Sequence, residues 1–453
     1  MQKKTIIILI LVFVSVGILF AGFLFLFPKS QPAQIVTNTT GVNFYPFKTT
    51  PKVTNLTQPI DISGTGVETP TPTVNENNSI LKKISSFPVS GFGTYSKQIF
   101  AVVQPAVTPP VDTTVTVPVV KNSKKTAVVA PVAPATEYVS TVRYVNKATG
   151  NIYESDADKI NEHKFTNTII PKIYEAFFTK SPNAVTVRYL KDDNTTIESY
   201  LGTLPVDLLG ADSAGQQTLN GNFLPEGITD MSVSSDGSQL FYLFNVNDNS
   251  IGIMTDGTGN KKSQIFTSPF TEWLSQWPSP KMVTLTTKPA DGIPGYMYAI
   301  NTDKKDLTKV IGGINGLTTL TSPSGKLILY STSTNGNLAT NIFNKDTGTT
   351  NTLGAKTLPE KCVWTKDSSY IYCAVPKSLD PVLYPDSWYQ GLTSFSDEVW
   401  KIDSFSGSAT KIADPVALSG EGVDGIKLAL DDNEDYLFFI NKQDNYLWEL
   451  KVK

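Results

Sequence analysis

Three carboxylates, Asp291, Asp386 and Asp397, sit in or beside polar connections where acid–base chemistry would find them accessible. A glycan hydrolase or lyase needs two such groups about 5–10 Å apart across one sugar bond. Asp386 lies in an insertion of about 20 residues, Pro376 to Ser396, that also holds Tyr384, Trp388, Tyr389 and Phe395. Aromatic rings beside a carboxylate suit the stacking of a sugar or the gripping of a peptide, and long connections in compact domains commonly carry function. The same rings would equally serve to pack the insertion over a central channel, and both readings stand. The expected ligand-contacting set is therefore Tyr384, Asp386, Trp388, Tyr389 and Phe395, joined by Asp291 and by Asp248 on neighbouring connections. None is assigned a catalytic role.

Other constellations point to structure. Cys362 and Cys373 are equidistant from the centre of a Lys366–Ser369 turn, so they face each other across two strands and are expected to form a disulfide in an oxidising exterior. Acidic runs at 431–435, 245–249 and 191–194 offer alternating oxygens to calcium, but each falls on an expected hairpin turn, where Asp and Asn serve the backbone. No cofactor is assigned, and calcium is the only candidate. His163 lies near no Ser or Cys motif and reads as a solvated or capping residue. Arg143 and Arg188 are 45 residues apart at one repeat position, which suggests ion pairs between repeats. Gly420 to Gly425 fits G-x-G-x-x-G without a strand–loop–helix context, so it reads as a loop between repeats.

The elements that hold these residues repeat every 40–45 residues. The clearest copy of the turn and second strand is Ser235-Asp236-Gly237-Ser238-Gln239-Leu240-Phe241-Tyr242. It returns from Ser322 to Tyr330, from Lys366 to Tyr372 and, more loosely, from Asp431 to Phe439. Four short strands per unit at this period predict β-propeller blades, which bury their sheet faces against one another and leave only short edges. The turn resembles the repeat of TolB-like, WD40-like propellers of bacterial envelope proteins over roughly residues 160–453. That resemblance implies the fold and says little about function. The last unit has only three strands, so residues 80–88 are expected to supply its fourth. The fold class is all-β: a seven-bladed β-propeller over 79–453, with six blades as the alternative and a low-complexity insertion at 97–136 in the first blade.

Residues 5–27 carry no charge and are long enough to cross a ~30 Å hydrocarbon core as a helix, with Lys3 and Lys4 marking the cytoplasmic side. Residues 28–78 are rich in Pro and Thr and read as a linker. The expected product is a single-pass, monomeric propeller outside the cytoplasm. Its closing strand enters at the end of the ring bearing the first-to-second and third-to-fourth turns. The opposite, membrane-distal face, with loops 206–223, 245–250, 288–295 and 376–396, would bind an envelope protein or polysaccharide. The alternatives are a carboxylate-based glycan enzyme and a purely structural envelope element. A net charge of −3 with only two arginines argues against nucleic acid.

Overall fold

The computed structural model describes residues 79–101, 134–179, 183–205 and 218–453. The expected membrane segment and linker lie outside the described residues, as does most of the first-blade insertion. Among the described residues no helix is long and apolar enough to cross a membrane.

Seven four-stranded antiparallel sheets make up the domain, so the count is seven rather than six. Blade 1 begins with Val89–Phe100 and blade 7 with Gly425–Leu430. Inner strands touch their neighbours round the ring, with the turn Pro359–Lys361 bridging blades 5 and 6, and the first strands of blades 1 and 7 touch each other, which closes the ring. In blade 7 the outermost strand is Leu81–Lys83, paired as Leu81↔Leu450, Lys82↔Glu449 and Lys83↔Trp448. The fourth strand expected near Leu81 is thus in place, and the Ile84 N–H extends the seam by donating to the Leu447 carbonyl at 2.8 Å.

There is no single core. Apolar residues alternate along each strand, so both faces of a blade are partly apolar and must be covered by adjacent blades. The result is one buried cluster at each of the seven blade interfaces. Phe241, Leu243 and Phe266 of blade 3, for example, meet Trp273, Trp277 and Leu285 of blade 4. Leu437 and Leu450 of blade 7, with Leu81, meet Tyr372 and Val399 of blade 6.

The repeat signature has a local cause. Asp236 accepts hydrogen bonds from the Ser234 and Ser238 hydroxyls and the Ser238 N–H, while Gly237 takes a φ of 69° that favours glycine. Asp367 repeats this with Thr365 and Ser369. Cys362 and Cys373 are directly paired across the first two strands of blade 6 and are joined by a disulfide.

One expectation is corrected. Segment 206–223 is a third-to-fourth connection, closed by Thr203↔Asn220, and Asn220–Phe223 is itself the outer strand of blade 2. It therefore belongs to the end opposite the one expected. Strand pairing in blade 1 continues to Phe100↔Thr136, so both ends of 97–136 lie on the first hairpin, of which that segment was expected to be an excursion. Arg143 and Arg188 face Glu154 and Ser199 of the third strand, each 11 residues further on, as one repeat position requires, while against the inner strand the residue after the bulge faces Val145 in blade 1 and Arg188 in blade 2.

Candidate partner-binding face

The 20-residue insertion of blade 6 leaves and returns at one point, since Pro376 and Asp397 are paired in adjacent strands. It carries a short helix, α1 (Asp386–Tyr389). Rather than projecting, it lies across the ends of several blades. Tyr384, Trp388 and Phe395 pack with Leu338 of blade 5 and Leu358, and Ile426 of blade 7 lies against them. The Trp388 and Phe395 rings stack with centroids 6.1 Å apart. Trp388 is only 4% exposed, and Tyr384 and Phe395 are also buried, so the expected stacking platform is corrected to a packing cluster. Tyr389 remains at the surface and donates its hydroxyl to Glu360.

A buried indole needs a partner for its N–H. Trp388 Nε1 donates to Asp424 Oδ2 at 3.0 Å, and the same oxygen accepts from the Ser394 hydroxyl and the Phe395 N–H. Lys442 Nζ donates to the Trp388 carbonyl, which anchors the insertion on blade 7. Beneath it lies an ionic cluster with no exposure at all: Lys361, Asp397 and Asp424 are each 0% exposed. Lys361 ends a 3-10 turn, Pro359–Lys361, at the start of blade 6, and its Nζ donates to Asp397 Oδ2 at 2.7 Å and to Asp424 Oδ1. Burial pushes the Asp397 carboxyl up to about 6, against the opposing charge of Lys361. No sequence signal marked Lys361 or Asp424. The glycine-rich stretch read as a loop between repeats does run between blades 6 and 7, and it contains Asp424.

The three candidate carboxylates are all committed to structure. Asp291 accepts from the Ser333 hydroxyl and from the N–H groups of Asn335 and Gly336, while its own N–H donates to Asp386 Oδ2 at 2.7 Å. The structure thus brings Asp291 and Asp386 together as a tie between blades 4, 5 and 6. Asp397 is sealed from solvent, as described above. Asp248 is exposed at the tip of a tight hairpin, Val246↔Asn249, far along the ring in blade 3. In the acidic runs, Asp431 accepts from the N–H groups of Asp435 and Tyr436, and Asp193 from those of Thr195 and Thr196. These side chains serve turns, and among the described residues no group of three or more His, Cys, Asp or Glu is arranged to hold a metal.

The charged residues outside this face form two further sets. Arg143 pairs with Glu154 inside its own blade at 2.7 Å, correcting the expected pairing between blades, and Lys97, Tyr95 and His163 also reach Glu154. Burial alone would raise the Glu154 carboxyl, but the bond to His163 and the charge of Arg143 hold it well below the usual carboxylate range. His163 is raised in turn, first by that bond. Arg188 pairs with Glu175 at 2.8 Å and also reaches the Ile228 carbonyl of the next blade. Glu175 further pairs with Lys427 of blade 7 at 3.0 Å, past the intervening blade 1.

The face bearing the second-to-third and fourth-to-first connections exposes several large apolar side chains. Leu392 is 76% exposed, and Leu383, Ile293, Phe270 and Ile169 are also open to solvent. Ile293 belongs to the connection that Asp291 ties to α1, so it lies on the same side of the ring as Leu383 and Leu392.

No protein-family model and no curated protein sequence matches this chain. Similar solved structures are propellers. One is an oligogalacturonate lyase from Vibrio parahaemolyticus, with 12% identity, a TM-score of 0.45, and coverage of 69% of this chain and 86% of that one. Another is the β-propeller domain of the Trilobed protease from Pyrococcus furiosus, with 11% identity, a TM-score of 0.44, and coverage of 70% and 94%. A third is TolB from Acinetobacter baumannii, with 13% identity, a TM-score of 0.39, and coverage of 58% of this chain and 60% of that one. The chain therefore spans only 60% of the TolB length. At this identity the likenesses bear on nothing beyond the fold.

Proposed function

We propose that this propeller is a membrane-tethered binding module that docks an extracytoplasmic protein on the face carrying the second-to-third and fourth-to-first connections. The reading rests on one observation above all: Leu383, Leu392 and Ile293 are exposed at that end of the ring, on connections pinned by buried contacts beneath them. Pinned apolar side chains lose little freedom on binding, which favours association. Exposed aliphatic groups suit a protein partner better than a polysaccharide, because the rings expected to stack a sugar, Tyr384, Trp388 and Phe395, are buried, and of the exposed aromatics Phe270 stands on a different blade from Tyr389.

The chain enters the closing strand at Leu81 from the end bearing the first-to-second turns, which is the end opposite the apolar face. Full-length protein in native membranes, cross-linked and purified, tests this. Leu383→Asp with Leu392→Asp should abolish the cross-linked product, while Phe405→Asp on the opposite end should leave it unchanged. Equal yields from all three proteins, or a product lost only on glycosidase treatment, would reject a protein partner at this face.

A further inference from the structure

The buried cluster of Lys361, Asp397 and Asp424 is a costly way to hold two blades together. Three charges are enclosed at 0% exposure with a net charge of −1, and the Asp397 Oδ1 has no hydrogen-bond partner. Replacing one amine and one carboxylate by an amide would remove two of the three buried charges. The arrangement has the parts that such a condensation needs.

The nucleophile is Lys361 Nζ, held on the side chain of Asp424 by direct contact with Oδ1 and surrounded by the rings of Trp388 and Phe395, at 5.4 and 5.0 Å from their centroids. The electrophile is Asp424 Cγ. Its Oδ2 is cradled by three donors, Trp388 Nε1 at 3.0 Å, the Ser394 hydroxyl at 3.0 Å and the Phe395 N–H at 3.1 Å. That is an oxyanion cradle, preorganised to stabilise negative charge on this oxygen as the carbon becomes tetrahedral. The proton carrier is Asp397, whose Oδ2 is 2.7 Å from Nζ and also accepts from the Gly425 N–H, while Oδ1 is left free to bear a proton. Its carboxyl, pushed up to about 6 by burial, takes and returns a proton near neutral pH.

We propose that Lys361 and Asp424 condense spontaneously into an intramolecular amide, with Asp397 as the catalytic proton shuttle, so that blades 6 and 7 become covalently joined. The ammonium first passes a proton through Asp397 to Asp424 Oδ1. The nitrogen lone pair then forms the Nζ–Cγ bond, and negative charge gathers on Oδ2 within its cradle. A second proton moves from nitrogen through Asp397 to Oδ1, the Cγ–Oδ1 bond breaks, and water leaves. One N–H stays on the amide, facing Asp397, which ends as the carboxylate it began as. No oxidant, nucleotide or other co-reactant is consumed. Proximity supplies much of the rate, because both reacting groups are fixed by the fold.

The test is the intact mass of the purified full chain after reduction of the Cys362–Cys373 bond. The expected result is a mass one water below that of the sequence, with a proteolytic map containing one branched peptide linked through Lys361 and Asp424. Lys361→Met and Asp397→Asn should restore the full sequence mass. A wild-type protein at full mass, with the two peptides separate, overturns the proposal whether or not the variants fold. A link from Lys361 to Asp397 overturns the assignment of electrophile and shuttle. An Asp397→Asn protein that loses water at the wild-type rate removes Asp397 from the chemistry.

Discussion

The backbone N–H of Asp291 donates to the Asp386 carboxylate at 2.7 Å, joining a connection of blade 4 to the first turn of α1 in blade 6. The Asp291 carboxylate meanwhile satisfies the turn at Asn335 and Gly336 in blade 5. Asp291→Ala leaves those donors without their acceptor, at a cost of about 1–3 kcal/mol. Amide exchange should rise at 335–336 in this variant, and at 291 in Asp386→Ala, which removes the acceptor of the Asp291 N–H, before the rest of the ring is affected. Protection unchanged in both segments would show that the tie is dispensable.

Ring closure depends on Leu81, buried among Leu437, Trp448 and Leu450. Leu81→Ala should destabilise the domain by about 2–4 kcal/mol, and a Leu81→Ala, Leu450→Ala pair should cost less than the sum of the singles. Thermal unfolding of the four proteins measures both quantities. Strict additivity would mean that the seam contributes no coupling.

Glu449, on the strand that receives Leu81–Lys83, is buried and accepts from the Asp158 N–H. Burial pushes its carboxyl from 4.5 up to about 7. A folded-state value above the unfolded one means that the folded form holds the proton more tightly. The associated stability is complete below about 4.5 and is lost as pH rises through about 7. Glu449→Gln, which cannot ionise, should flatten the fall in Tm across that window. Parallel Tm profiles for the two proteins would count against a raised Glu449.

His163 and Glu154 shift in opposite directions because each supports the charge of the other. The His163 contribution is complete below its unfolded value, near 6.5, and is lost as pH rises through the raised folded value. The Glu154 contribution is present above about 4.5 and is lost only as pH falls through a strongly lowered value. His163→Gln should therefore lower Tm at about pH 5.5 and have little effect well above the imidazole range. The partly exposed ring keeps the effect small. A deficit of equal size at alkaline pH would point to lost packing instead.

Features set by neighbours in sequence were readable without the structure. The turn at Ser234–Ser238 is determined by its own Asp and Gly, the Cys362–Cys373 pairing by distance from a turn centre, and the strand at Leu81 by an unfilled place in the last blade. Features set by other blades were not. Whether Trp388 faces water or the interior depends on Asp424 and Lys442 of blade 7. A buried Lys361 runs against the ordinary preference of lysine for solvent, and its two acidic partners lie 36 and 63 residues away. The outer strand Asn220–Phe223 is exposed throughout and shows no alternation, which disguised it as part of a loop. Arg143 and Arg188 share their register against the third strand but not against the inner one, and strand register of this kind leaves no mark in spacing alone.

The pairing of Leu81–Lys83 with Leu447–Leu450 also imposes an order on biosynthesis. A ribosome releases Leu81 long before its partner exists, and no local hairpin can take that partner's place. Six blades can assemble as they emerge, but Leu81 and Ile84 stay uncovered until the final strand is made. The domain's first strand to be translated is thus the last to be placed, and for that interval the nascent chain carries an uncovered apolar strand that a holding chaperone would recognise.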